Sequence, residues 1–282
     1  MNAFRGAALV TAPTGEPLKA LTGGGVDLGT RMQVASVSKV FAAAVTLTLV
    51  DRRVLSLGDP VPPWPGVTVH HLLSQTSGLG QYDDMPSIDL KAGVVSRDLI
   101  RQEPLIHPPG TRWRYSSPGY IMLGELIERA VDRPYPELVN ELLIEPLGLG
   151  ETAVGARPAD AASGHHDGVP AKEWDLTALT GTGDIWSTVG DLNRLAHGLD
   201  RAVLQRMRQP RAALPEPYGG LTHYGYGLYL GDGIALHKGD VPGFRSVLAF
   251  LPDGRAAAVL SNDETAAAPL DVLREIVQGS AA

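Results

Sequence analysis

Apolar residues follow different spacings in successive parts of the chain, and these spacings predict an order of elements. Residues 6–12 and 17–22 are short β-forming runs joined by a Pro-Thr-Gly-Glu turn, which predicts a β-hairpin at the start. From residue 36 to residue 50 apolar residues occur on nearly every side at helical spacing. This pattern is typical of a helix surrounded by protein, so we expect the helix to be central.

The rest of the chain divides into a helical middle and a strand-rich end. Between residues 69 and 211 the spacing is mostly helical, and after residue 217 short strands alternate with hairpin turns. The predicted helices cover residues 120–130, 135–143, 189–199 and 269–278, and the predicted strands cover residues 224–230, 234–238, 244–251 and 256–261. Strands at both ends predict an α+β protein with one antiparallel sheet flanked by helices. We expect residues 1–61 and 212–282 to form the sheet domain and residues 62–211 an inserted all-helical domain.

Composition narrows the classes of function. The chain has 282 residues, a formal net charge of -7 and no dense run of Lys and Arg, which argues against a nucleic-acid partner. It has no Cys, so disulfides, thiolate metal sites and a cysteine nucleophile are excluded. The apolar runs at residues 7–10 and 40–50 are too short for a signal-peptide core and a membrane span respectively. We therefore expect no membrane partner and a cytoplasmic location.

Residues 36–39 form the motif S-x-x-K, which is the first candidate for chemistry. The spacing places Ser36 and Lys39 one turn apart on the same helix face. A lysine among apolar neighbours can lose its charge by desolvation and then accept the proton of a serine hydroxyl. The competing interpretation is a helix cap followed by a surface lysine. We expect Ser38, between them, to bond back to the helix backbone.

Four further segments occur in a fixed order after this motif. They are residues 69–79 (VHHLLSQTSGL), 108–124 (PPGTRWRYSSPGYIMLG), 145–149 (EPLGL) and 237–244 (HKGDVPGF). Together with S-x-x-K they resemble the signatures of the class C β-lactamase and penicillin-binding-protein-like serine hydrolases, including the esterases and peptidases of that family. The resemblance implies a β-lactamase/transpeptidase-like fold, with the active site at the junction of the sheet domain and the helical domain.

The resemblance also implies catalytic roles. Ser36 would attack a carbonyl carbon, Lys39 would accept the proton, and Tyr115 would relay it to the leaving group. The backbone N–H groups of Ser36 and Asp240 would form the oxyanion hole, because Gly239 leaves the edge of its strand open to a substrate. No cofactor is implied.

Substrate contacts are expected from Ser117, His237 and Gly239, and the first two depart from the family pattern. Ser117 stands where the Y-x-N element has an amide, and His237 stands where lactamases have a lysine. A neutral imidazole gives no fixed positive charge, so penicillin hydrolysis is disfavoured. The histidine pairs at residues 70–71 and 165–166 lack the spacing of a closed metal site, and we expect no metal.

Three functions remain in competition. The first is a serine hydrolase acting on an ester or amide of a small-molecule acyl substrate through a Ser36 acyl-enzyme. The second passes the acyl group to an amine or alcohol, which would make the protein an acyltransferase of natural-product biosynthesis. The third is a non-catalytic binding protein of the same fold. Retention of Ser36, Lys39 and Tyr115 together argues against the third.

Overall fold

The computed structural model describes residues 4–89, 95–173, 175 and 177–279, and strands from both ends of this range form one antiparallel sheet of eight strands. The strands are β1 (Gly6–Thr11), β2 (Pro17–Gly23), β3 (Met32–Gln33), β4 (Ala153–Val154), β5 (His165–His166), β6 (Val169–Pro170), β7 (Ile185–Ser187), β8 (Ala212–Tyr218), β9 (Leu221–Tyr224), β10 (Tyr229–Gly231), β11 (Ile234–Val241), β12 (Phe244–Phe250) and β13 (Ala256–Ser261). Their order in the main sheet is β2-β1-β13-β12-β11-β10-β9-β8. The expected α+β architecture, with a sheet built from both termini, is confirmed.

Nine α-helices lie in the described residues. They are α1 (Ser38–Asp51), α2 (Val69–Leu73), α3 (Arg97–Gln102), α4 (Ser117–Val131), α5 (Tyr135–Val139), α6 (Glu145–Leu147), α7 (Val189–Gly198), α8 (Arg201–Met207) and α9 (Pro269–Gln278). A π-helical turn, Asn140–Ile144, joins α5 to α6. Within the described part of the chain no helix is long and apolar enough to cross a membrane.

The centre of the main sheet is covered on both faces. Every residue of β1 and β13 is buried, and α7 and α9 both pack against β13. Because side chains alternate along a strand, Ala7 and Leu9 join the core that contains α1, whereas Ala8 and Val10 join the smaller core under α9. The continuous apolar run of β1 follows from this double burial.

Helix α1 is central, as the sequence predicts, and eleven of its fourteen residues are buried. The prediction of a single strand over residues 224–230 was wrong, because the structure has two strands in this region, β9 and β10. A turn separates them, with the Gly225 N–H donating to the Leu228 carbonyl at 2.8 Å. Gly227 in this turn has φ +70°, and a Cβ there would lie 2.8 Å from the Lys39 carbonyl oxygen. The break therefore lets the sheet approach α1 closely.

The middle of the chain is mostly helical but also supplies short strands that the sequence did not indicate. β7 pairs with both β3 and β4 in a three-stranded sheet, and β5 pairs with β6. The Met32–Ser187 and Gln33–Trp186 pairs tie the segment before Ser36 to the middle of the chain. These strands have two or three residues each, which is too short for a periodic signal.

Candidate active site

Ser36 lies in a tight turn where β3 leads into α1. The turn is a 3₁₀ segment, Ala35–Val37, and Ala35 has φ +49°, in the left-handed region that non-glycine residues seldom adopt. The buried Gln33 side chain secures this conformation, because its Oε1 accepts the Ala35 N–H and its Nε2 donates to the Gly183 carbonyl. Ser36 is half-buried and lines a cavity of about 930 Å³.

Lys39 is fully buried one turn after Ser36. Its Nζ lies 3.2 Å from Ser36 Oγ, 3.2 Å from Ser117 Oγ and 3.3 Å from the Thr182 carbonyl, and it also hydrogen-bonds Thr182 Oγ1. Among the described residues no carboxylate lies within 4.0 Å of it. Burial lowers the pKa of Lys39 well below its ordinary value of 10.5, and the charge of Asp184 opposes this shift only in part. Burial therefore favours the neutral form of the amine beside the serine hydroxyl.

Tyr115 completes this group. Lys39 Nζ lies 4.9 Å from the centre of the Tyr115 ring. Burial raises the pKa of Tyr115 to about 12, although hydrogen bonds to the hydroxyls of Ser36 and Ser117 oppose the increase. The phenol is therefore protonated at neutral pH, which suits a proton donor better than a phenolate base. The structure thus brings all three predicted catalytic side chains together.

Gly239 allows β11 to pack directly against the turn that carries Ser36. A Cβ at this position would overlap the Val34 carbonyl oxygen and Ser246 Oγ, which are themselves hydrogen-bonded at 2.6 Å. Strand β10 pairs with β11 only from Ile234 to Leu236, so beyond that point the described strands leave this edge of β11 open. Asp240 follows on the open edge and lines the same cavity as Ser36. The oxyanion hole formed by the N–H groups of Ser36 and Asp240 stays a prediction.

His237 lies behind the cavity and is not among the described side chains that line it. It is fully buried, with Nδ1 2.7 Å from the Lys238 carbonyl and Nε2 3.2 Å from the Tyr224 hydroxyl. Its ring centre lies 6.2 Å from that of Tyr115. Burial lowers the pKa of His237 to about 3, so the ring is neutral at physiological pH. The expected direct contact of His237 with a substrate stays a prediction.

Charged side chains near the mouth of the cavity are mostly paired. Arg245 Nε lies 3.4 Å from Asp240 Oδ2, and Lys238 Nζ lies 4.1 Å from the centre of the Tyr218 ring. In the described part of the chain no group of three or more His, Asp or Glu side chains is arranged to hold a metal ion. His70, one of the paired histidines in the sequence, hydrogen-bonds the Tyr226 hydroxyl at 2.7 Å.

Sequence reasoning missed three residues of this site. Thr182 holds Lys39, the buried Asp184 acts on Lys39 through its charge, and Gln81 contacts Ser117. Thr182 and Asp184 belong to the glycine-rich run TGTGD at residues 180–184, which is the one local signal that marks a special backbone. Gln81 lies in a loop without periodicity, and no local signal identifies it.

Ser117 begins α4 and is 5% exposed. Its hydroxyl lies 3.2 Å from Lys39 Nζ, and its N–H donates to Gln81 Oε1 at 2.9 Å. Gln81 Nε2 lies 3.5 Å from Ser117 Oγ. The predicted site residue Ser117 is therefore in the site, but its side chain faces the lysine.

Comparisons with known proteins agree with the fold. A family model described as Beta-lactamase matches residues 1–279. Esterase EstB of Burkholderia gladioli is 36% identical over 169 residues, covering 50% of this chain and 43% of the esterase. Penicillin-binding protein 4* of Bacillus subtilis is 27% identical, covering 82% of this chain and 60% of that protein. The chain thus spans less than two thirds of both relatives. A penicillin-binding protein structure from Bacillus halodurans has a TM-score of 0.82 at 24% identity, covering 98% of this chain and 96% of that one.

Proposed function

The chain belongs to the beta-lactamase family of serine hydrolases, and on that premise we propose that it hydrolyses an ester or amide of a small acyl substrate through an acyl-enzyme on Ser36. The observation that carries the proposal is the buried Lys39 amine, 3.2 Å from Ser36 Oγ. A lysine whose pKa is lowered by burial can act as a general base near neutral pH.

The proposed reaction has two stages. Ser36 Oγ bonds to the carbonyl carbon as its proton moves to Lys39, and the N–H groups of Ser36 and Asp240 stabilise the oxyanion. The bond to the leaving alcohol or amine then breaks as Tyr115 donates its proton to that group, and Lys39 returns a proton to Tyr115. In the second stage water attacks the acyl carbon and gives up a proton to Lys39 or Tyr115. The bond between the acyl carbon and Ser36 Oγ then breaks, Ser36 Oγ takes up that proton, and the acid is released.

Esters are the favoured substrates over penicillins. His237 occupies the position of the lactamase lysine, and its burial keeps the imidazole neutral. Without that fixed charge the site lacks one means of binding the carboxylate of a penicillin. The similarity to an esterase of Burkholderia gladioli supports the same choice of substrate.

The test uses p-nitrophenyl butyrate with wild type, Ser36→Ala and Ser56→Ala, the last being an exposed serine outside the site. We expect p-nitrophenol and free butyric acid from wild type and Ser56→Ala, and only background release from Ser36→Ala. The same reaction with added hydroxylamine or a primary amine separates hydrolysis from acyl transfer. Preferential formation of the amide would support the acyltransferase instead, and no turnover of any activated ester would support the non-catalytic protein.

A further inference from the structure

Thr182 presents two oxygens to the amine of Lys39. Its carbonyl oxygen lies 3.3 Å from Lys39 Nζ, and its hydroxyl Oγ1 also hydrogen-bonds that nitrogen. The residue is 3% exposed and lines the cavity that contains Ser36. Among the groups that the structure describes, Lys39 is the one hydrogen-bond partner of Thr182 Oγ1. Within the described protein the hydroxyl therefore serves the lysine alone.

The loop that carries Thr182 is fixed relative to the nucleophile. The carbonyl of Gly183, the next residue, accepts from Gln33 Nε2. Oε1 of the same glutamine accepts the N–H of Ala35, the residue before Ser36. One buried side chain thus connects the turn of Ser36 to the loop of Thr182, so the hydroxyl of Thr182 has a defined place beside the catalytic pair.

The hydrogens of a neutral Lys39 amine can be assigned from its neighbours. Such an amine has two N–H groups and one lone pair, and the lone pair must face Ser36 Oγ, 3.2 Å away, to accept the serine proton. The Thr182 carbonyl can only accept, so it takes one N–H group. The second N–H group is left for either the Thr182 hydroxyl or the Ser117 hydroxyl, which lies 3.2 Å from Nζ.

The two candidate hydroxyls differ in their other contacts. Ser117 Oγ also hydrogen-bonds Tyr115 and lies 3.5 Å from Gln81 Nε2, so it has competing partners. The Thr182 hydroxyl has no such competition among the described residues, and its own hydrogen can point into the cavity that it lines. Thr182 is thus the better acceptor for the second N–H group.

We propose that Thr182 is a positioning residue, whose hydroxyl accepts one N–H of Lys39 and thereby directs the lone pair at Ser36 Oγ. The proposal rests on the proposed hydrolase function and assigns a further residue to its acylation step. When the serine proton has moved to the amine, the ammonium has three N–H groups. The Thr182 carbonyl, the Thr182 hydroxyl and Ser36 Oγ then supply one acceptor for each.

The test measures acylation of Ser36 over a range of pH, from p-nitrophenol release by p-nitrophenyl butyrate with the enzyme in excess. Thr182→Val removes the hydroxyl at nearly constant volume, and Thr182→Ser keeps the hydroxyl but removes the methyl group. Thr180→Val is the matched control, because Thr180 is a second buried threonine of the same loop, with Oγ1 3.4 Å from the Thr177 carbonyl. Thr182→Ala replaces Thr182→Val if thermal melts show that the valine variant is unfolded.

We expect Thr182→Val to lower the acylation rate at the high-pH plateau roughly 5- to 50-fold, whereas Thr182→Ser stays within about 3-fold of wild type and Thr180→Val is unchanged. The midpoint of the pH profile should move to lower pH in Thr182→Val, because a hydroxyl acceptor stabilises the charged amine more strongly than the neutral one. The variant would then hold more neutral lysine and still react more slowly. A loosened site gives the opposite shift, since water that reaches Lys39 raises its pKa.

An unchanged or faster plateau in Thr182→Val would overturn the proposal, because the hydroxyl would then be unnecessary or would itself donate to the lone pair. A Thr182→Ser variant as slow as Thr182→Val, or a midpoint that does not move to lower pH, would also overturn it and leave Thr182 with a packing role. Absence of Ser36 acylation in the wild-type protein would instead contradict the hydrolase function. The two failures are distinguished because the first leaves wild-type acylation intact.

Discussion

His237 should make the folded protein sensitive to acid, because burial lowers its pKa from 6.5 to about 3. Between these two pH values the unfolded chain binds a proton at this ring and the folded chain does not. Stability must therefore fall as pH decreases from about 6.5 towards 3. At about 1.4 kcal/mol per pH unit, the loss from this one group amounts to about 5 kcal/mol at most.

The perturbation is His237→Gln, which keeps a polar side chain near the Tyr224 hydroxyl but does not titrate. The assay is urea unfolding followed by tryptophan fluorescence at several pH values between 7 and 4.5. The free energy of unfolding of wild type minus that of the variant should decrease by about 1.4 kcal/mol per pH unit below about pH 6. Asp184, whose pKa is raised by burial, titrates in both proteins and cancels in this difference.

His166 provides the matched control. Its pKa is raised by the hydrogen bond to Glu264, so the corresponding difference for His166→Gln should increase as pH falls. A difference that stays constant with pH for His237→Gln would refute the reasoning. It would mean that the folded protein protonates His237, and the imidazolium could then serve as the cation that lactamases obtain from lysine.

Three further predictions concern catalysis. Lys39→Ala should lower the acylation rate about 100- to 10,000-fold, and the wild-type rate should rise with pH as Lys39 loses its proton; an active variant would leave Tyr115 as the base. Asp184→Asn removes the charge that raises the pKa of Lys39, so the midpoint of the acylation pH profile should move to lower pH, and an unchanged midpoint would contradict that coupling. Penicillins should be hydrolysed far more slowly than short-chain p-nitrophenyl esters, whereas comparable rates would show that Lys238 or Arg245 supplies the missing positive charge.

Features encoded by regular spacing were predictable from the sequence. The apolar pattern of α1 identified a buried central helix, and S-x-x-K placed Ser36 and Lys39 on one face because both residues belong to the same turn. The strands at both ends likewise indicated a sheet built from the two termini. The break between β9 and β10 escaped prediction, since it depends on the approach of Gly227 to α1, which is distant in sequence.

The parts of the site that come from loops were not predictable in the same way. Gln81 and Thr182 reach Ser117 and Lys39 only through long-range contacts, and neither residue belongs to a periodic segment. The position of His237 on a strand was expected, but its burial among tyrosine rings depends on how β9 and β10 pack beside β11. Spacing along one strand does not determine which neighbours cover it.

The most direct test of the central claim is to find the residue that becomes acylated. The protein is incubated with a fluorophosphonate or an activated p-nitrophenyl ester, its intact mass is measured, and the modified peptide is mapped. We predict a single adduct on Ser36 that is absent from Ser36→Ala. Label on Ser38 or Ser117, or no adduct on a folded wild-type protein, would contradict the assignment of Ser36 as the nucleophile.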